Sequence, residues 1–383
     1  MSTFILRIII FALLFSPSTA FAELNFGGDA SVRLQEWITG IESKDAVDWQ
    51  YRLNLRASAD LGDGYFFKTL LTNLSTLNAG WQTVGNGKSE TYNLQFAQCY
   101  FGRNISSGHY SIGLLPTTSP NNPIGDLTLF PTQPLNAPLA LTNALFGAHY
   151  DHTLGNGHLG VSFIVLDDNS AGNTGASGDG LWNDGYAISL SYKFNIGSVT
   201  FDPQFLTALT KADVFSGTQA AAGNTGTIIH YGFRPISYGT NIALPPAVGI
   251  RFSTSAFFTR GTGTTPEGAP TTILLNGKLI NLSAMYGGNV DYFGNLFRIK
   301  AESGPFMVWY DHNSTTDNST GTRYLYTNNF VFAQYKINLY QSAKGSFTLQ
   351  PTLRYLSSKE SIAGASQGDN TLLLPELWAT MTF

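Results

Sequence analysis

The chain has 383 residues, with 21 basic and 25 acidic side chains for a formal charge of −4, and a single cysteine. Charged residues make up 12% and aromatics 13%, against a usual charged share of about 25%, which leaves too few charges to coat a large soluble surface. The mild acidity offers no basic stripe for a nucleic acid, and the lone Cys99 excludes a disulfide framework.

The N-terminus reads as a cleavable signal peptide over residues 1–22: Arg7, the apolar run Ile8 to Phe15, then the small-residue site Ala20-Phe21-Ala22. The apolar run is far shorter than the ~20 residues a spanning helix needs. Cleavage after Ala22 leaves residues 23–383, which is 361 residues, with 20 basic and 25 acidic side chains. An exported chain with few charges, no disulfides and no further long apolar segment is best satisfied by a β-barrel whose outer surface meets lipid.

The remaining chain reads as strands of about 10 residues joined alternately by short and long links. From Asp48 to Leu61 the residues Trp49, Tyr51, Leu53, Leu55, Ala57, Ala59 and Leu61 alternate with Gln50, Arg52, Asn54, Arg56, Ser58 and Asp60, the period of a half-buried strand. Tyr186 to Phe194 and Phe347 to Tyr355 repeat the pattern, the second with Pro351 as a blemish. Short links are expected at Leu61–Gly64, Asn104–Gly108, Leu154–Gly157, Asn195–Ser198, Gly239–Pro246, Val290–Gly294 and Gln341–Gly345. Long loops are expected at Ile38–Val47, Asn78–Ser89, Pro116–Asn143, Asp167–Asn183, Lys211–Gly226, Gly261–Gly277, Asp311–Thr322 and Ser357–Asn370. Eight long and seven short links predict about 16 strands in one all-β, antiparallel, up-and-down transmembrane barrel. An even strand number puts both termini on the short-turn, periplasmic side. The last strand alternates Leu377, Ala379, Met381 and Phe383 and ends on an aromatic.

A barrel of this size encloses a watery channel, so side chains on the polar parity should line it. That parity selects Arg33 on the first strand, Arg52 and Arg56 on the second, Arg354 on the fifteenth and Glu376 on the sixteenth. Closure makes these strands neighbours, so four guanidiniums share one wall, with Glu376 the nearby acid. Arg234, Arg251, Arg298 and Lys300 also fall on polar parity, countered by Asp151, Asp202 and Glu302. His149, His152 and His158 form no metal set, because His149 and His152 alternate across a strand. No metal and no cofactor is expected. Trp49, Tyr51, Trp182, Tyr186, Trp309, Tyr310 and Trp378 lie near strand ends and read as membrane-interface girdles.

From Glu90 to Asp168 the order of features resembles the general bacterial porins. Asn93–Gly102 and Gly108–Leu115 look like their fourth and fifth strands, and Thr142–Tyr150 and Gly157–Phe163 like their sixth and seventh. The resemblance implies a 16-stranded homotrimer in the outer membrane of a Gram-negative bacterium. It also implies that loop 116–143 folds into the lumen as a constriction facing a basic wall. That loop is the longest link and carries six prolines, but Asp126 is its one charge amid Leu127, Leu129, Phe130, Leu135, Leu139 and Leu141. Its alternative places are the contact between barrels or a cap outside. The expected function is passive diffusion of small hydrophilic solutes and ions, weakly favouring anions. The alternatives are a receptor or adhesin with a closed lumen, and a barrel hydrolase.

Overall fold

The computed structural model describes residues 23–39, 42–73, 81–84, 94–116, 123–129, 145–167, 185–208, 232–264, 272–275, 278–281, 289–318 and 321–383. The signal segment 1–22 lies outside them, as do residues 117–122 and 130–144 of the long loop and Trp182. The first strands are β1 (Glu23–Thr39), β2 (Glu42–Gly62), β3 (Tyr65–Thr72), β4 (Gln82–Thr83), β5 (Gln95–Ile105) and β6 (Gly108–Leu115). A helix α1 (Ile124–Leu129) stands in the long loop. Then come β7 (Leu145–Leu154), β8 (Gly157–Asp167), β9 (Gly185–Ile196), β10 (Val199–Ala208), β11 (Gly232–Ala243) and β12 (Arg251–Thr264). The rest are β13 (Thr272–Leu275), β14 (Lys278–Asn281), β15 (Asn289–Ser303), β16 (Phe306–Asp317), β17 (Tyr324–Tyr335), β18 (Ile337–Ser342), β19 (Gly345–Ile362) and β20 (Ala365–Thr382).

Each strand pairs antiparallel with its sequence neighbours, and β20 pairs back onto β1. The segment β4 continues on β2 where β3 stops, β18 continues β17, and β13 and β14 form a separate hairpin. Among the described residues the wall therefore has sixteen staves, as the alternation predicted. Closure leaves no unpaired edge, which is what lipid demands of a spanning sheet. The burial pattern is that of a membrane barrel. Phe26, Phe96, Phe101, Phe293, Ile299 and Met381 are exposed, while Ser31, Gln50, Ser237, Thr315 and Thr352 on the opposite parity are buried.

The seam is sealed by the last residue. Phe383 donates its N–H to the Gly28 carbonyl (3.0 Å) and accepts from the Gly28 N–H (2.8 Å). A Cβ at Gly28 would collide with the Asn54 carbonyl and come within 3.0 Å of the Phe383 ring, so the close strand approach requires glycine.

Four expected links differ from what the structure shows. Val290–Gly294 is inside β15, and the chain reverses at Gly304-Pro305 instead. Gly294 serves a close approach, since a Cβ there would stand 2.5 Å from the Thr315 hydroxyl. The Gly239–Pro246 link begins later, because Gly239 to Ala243 remain paired with β12 and the reversal is 244–250. At the other end, β1–β2 and β19–β20 stay paired out to Thr39–Glu42 and Ile362–Ala365, so the expected loops Ile38–Val47 and Ser357–Asn370 are hairpin extensions. Pro351 is accommodated where its neighbour is already broken. The ladder stops at Gln334–Thr352 and resumes at Ile337–Leu349, which leaves Pro351 no donor role on that side.

Candidate functional site

The four arginines come together on the lumen face of β19, β20, β1 and β2, as strand parity and closure dictate. Glu376 on β20 lies between two of them, 3.1 Å from Arg33 and 3.3 Å from Arg354. Asp29 on β1 holds the other two, Arg56 at 2.9 Å and Arg52 at 3.6 Å. Asp29 and Asp48 correct the expectation that Glu376 is the wall's one nearby acid. Asp48 lies one rung from Gln50 and accepts from the Trp37 indole at 3.0 Å. These seven groups carry four positive and three negative charges, an excess of one.

The wall is also covered. Trp81, just before β4, is 2% exposed and lies under both the Arg33 guanidinium (4.5 Å) and the Arg52 guanidinium (4.8 Å). Trp378 packs 5.2 Å from Trp81 and donates its indole N–H to Glu376 at 2.7 Å. Planar guanidinium over an indole is the most favourable cation–π pairing. Arg33 and Arg354 are thereby almost wholly buried, and Arg56 remains the half-exposed charge, its side chain 54% exposed. Trp378 faces the lumen, not a membrane girdle, and so does Trp309, which stacks on Phe332 at 4.0 Å. Trp49 and Tyr310 do point outward.

Helix α1 of the long loop stands in the lumen. It touches β10, β11, β12 and β15, three to six staves round the barrel from β7. Ile124 and Leu127 pack into a buried cluster with Phe257, Leu296, Phe330 and Phe332, and Leu206, Met307, Trp309 and Leu356 border it. Beside the cluster, Thr128 donates to the Ser237 hydroxyl (2.7 Å), which donates to Thr259 (2.8 Å). Ile124 and Leu127 thus have a reason to be apolar: this wall carries lumen-facing apolar side chains, and α1 covers them. Packing at a contact between barrels and capping outside are both ruled out for α1. The Asp126 side chain lies outside the described residues.

Next to the cluster, Arg298 and Asp311 form a bidentate pair at 2.6 and 2.7 Å, buried in the lumen wall. Arg251 and Lys300 meet Glu302 at 3.8 and 3.0 Å. The Arg234 side chain lies outside the described residues.

A third stretch of wall was missed from sequence. Strands β6, β7 and β8 bring His109, His149 and His158 to the lumen face around Asp151. The Asp151 carboxylate is 4.0 Å from the His109 ring nitrogen and 3.7 Å from that of His158. His149 is 5.3 Å from His109, ring to ring, and its Nδ1 contacts the Ser162 hydroxyl at 2.9 Å. His152 points to the other face with Tyr150, as the alternation predicted. The signal that could have found this group is the register, which sets His109 opposite Asp151 and His158 two residues before Gly160, Asp151's partner on β8. Among the described residues no group of His, Cys, Asp and Glu is arranged to hold a metal ion.

No family model and no curated protein matches the sequence. Solved structures do match in fold. The in-vitro folded, trimeric form of OmpT, an outer-membrane protein of Vibrio cholerae, aligns over 94% of this chain and 99% of its own at 10% identity, with a TM-score of 0.54. Pseudomonas putida OprB aligns over 94% of each chain at 11% identity, with a TM-score of 0.52. An anion-selective porin from Comamonas acidovorans aligns over 94% of this chain and 100% of its own at 11% identity, with a TM-score of 0.50. The chain therefore has the sixteen-stranded barrel fold of outer-membrane porins.

Proposed function

We propose that this chain is a porin of the Gram-negative outer membrane, exported by its residues 1–22 and open to passive diffusion of small hydrophilic solutes and ions. The observation that carries the reading is α1 docked on one lumen wall. It narrows the channel from one side and leaves water-exposed polar groups such as Arg56, His158 and Lys193 on the other staves. Passage involves no bond making. The protein contributes a bore and a field, and the field is strongest where low-dielectric walls confine it.

The excess positive charge of the arginine wall supports a weak anion preference. A unit charge about 10 Å from an ion in water is worth about 0.4 kcal/mol, close to a twofold change in local concentration before screening. The test is planar-bilayer recording of purified protein, with reversal potential read across a KCl gradient. The wild type should conduct with slight chloride preference. Arg52→Ala with Arg56→Ala should move the reversal potential toward potassium, by roughly 1.5- to 2-fold in permeability ratio at about 0.01 M salt, where the Debye length is ~30 Å. Absence of conductance defeats the pore reading, and an unmoved reversal potential removes this wall as the selectivity element.

We read the assembly as a homotrimer, the state in which the OmpT structure is described. Crosslinking in intact membranes should trap a species of three chains. Recovery solely as monomers after mild extraction contradicts it.

A further inference from the structure

Two of the lumen's walls are already occupied. The arginine wall is paired with acids and roofed by Trp81, and the β11–β17 wall lies under α1, where Phe257, Leu296, Ser237, Thr259 and Asn313 have no exposure. The staves β6 to β9 are different. The His109 side chain is 39% exposed, His158 58% and Asp151 27%, and Lys193 is exposed. Among the described residues this side is the more open one, so its charge acts on a permeating ion at shorter range than the buried Arg33 and Arg354 do.

We infer that His109, His149 and His158 form an acid-switched, anion-attracting lining that makes the ion selectivity of the channel depend on pH, in addition to the fixed charge of the arginine wall. The inference rests on the pore reading above. Imidazole changes charge between about pH 5 and 8, with an ordinary value near 6.5, whereas a carboxylate remains ionised throughout that window. With neutral rings the histidine–Asp151 set carries one negative charge, and each ring that gains a proton adds one positive charge, so two protons suffice to reverse its sign. The staves around it present these charged or titratable groups to the lumen: Lys68 on β3, Tyr100 on β5, Asp151 on β7, Lys193 on β9 and Asp202 on β10, by the pairing register. None of these but histidine has its ordinary range inside the window. Lys193 stands directly across from His158, so protonated His158 adds to a charge already present. Position 160 is glycine, and a Cβ there would press on the Ser191 hydroxyl and lie 3.4 Å from the His149 ring, so glycine leaves the half-buried His149 ring its room.

The test is reversal potential across a KCl gradient at about 0.01 M on the dilute side, at pH 8 and pH 5. The wild type should gain roughly threefold or more in chloride-to-potassium permeability on acidification, because each added charge contributes up to about twofold at that Debye length. The triple variant His109→Gln, His149→Gln, His158→Gln should lose most of the shift while still conducting. Two single variants keep the question answerable if the triple variant does not fold. His158→Gln, at the most exposed site, should lose part of the shift, and Asp151→Asn should favour chloride over the wild type already at pH 8. A conducting wild type whose reversal potential is the same at both pH values overturns the inference and leaves the pore reading standing, and so does a full shift in His158→Gln together with the triple variant. No conductance at either pH overturns the pore reading instead.

Discussion

Replacing Leu127 by Asp should raise single-channel conductance well above the wild-type level without unfolding the barrel. Leu127 has no exposed surface and belongs to the buried cluster that holds Phe257 and Leu296. Truncating a buried leucine to alanine costs about 2–5 kcal/mol, and a carboxylate in the same cluster costs more because nothing there pairs with it. The apolar cluster and the Thr128–Ser237 hydrogen bond are prominent among the contacts that hold the six-residue helix. A deficit of that size exceeds what a single hydrogen bond of about 1 kcal/mol restores, so the helix should leave its wall. The staves are joined by backbone ladders that do not involve α1, and they should survive. Single-channel recording beside heat-modifiable gel mobility separates the two effects. Leu127→Met, which conserves volume, should conduct as wild type. Unchanged conductance in a folded Leu127→Asp protein shows that α1 does not limit flow.

The largest loss of stability is expected from Arg298→Ala. The Asp311 carboxylate has no exposed side-chain surface and is held by two charge-assisted bonds from Arg298. Removing the guanidinium strands a buried charge, a change worth about 3–5 kcal/mol in comparable pairs. Removing both charges together, as Arg298→Met with Asp311→Leu, should be close to neutral, since apolar replacement of a buried pair often matches or exceeds its stability. The thermal transition of the detergent-solubilised protein should drop sharply in the single variant and recover in the double. Equal losses in both variants assign the effect to lost packing on Trp309, over which the guanidinium lies at 5.4 Å, and not to the stranded carboxylate.

Much of the fold was legible because strand parity is a local property. Successive side chains point to opposite faces whatever the rest of the chain does, so Trp49, Gln50 and their alternating neighbours declare the two faces of β2 directly. The same periodicity, with an even strand count, placed Arg33, Arg52, Arg56, Arg354 and Glu376 on one lumen wall. Link positions were less legible where glycine served packing. Gly239 and Gly294 look like turn residues, but both stand inside strands because a neighbouring stave comes too close for a side chain. The lumen aromatics are a different case. Trp309 and Trp378 sit near strand ends like girdle residues, but Trp378 shares the parity of Glu376, and both pack on lumen side chains, Phe332 and Trp81.

By itself, then, the sequence determined the barrel, its sixteen staves, the shared parity of Arg33, Arg52, Arg56, Arg354 and Glu376 and the presence of one proline-rich apolar link, all of which follow from local geometry and from the count of links. The tertiary structure decided what crosses the lumen. It placed α1 on Phe257 and Leu296 rather than beside its own anchors, laid Trp81 under Arg33 and Arg52, supplied Asp29 to Arg52 and Arg56, and gathered His109 with His149 and His158. The physical reason is that facing across a closed barrel depends on stave order, register and the path of a loop through water. No window of neighbouring residues encodes those, whereas a two-residue period encodes inside and outside at every step.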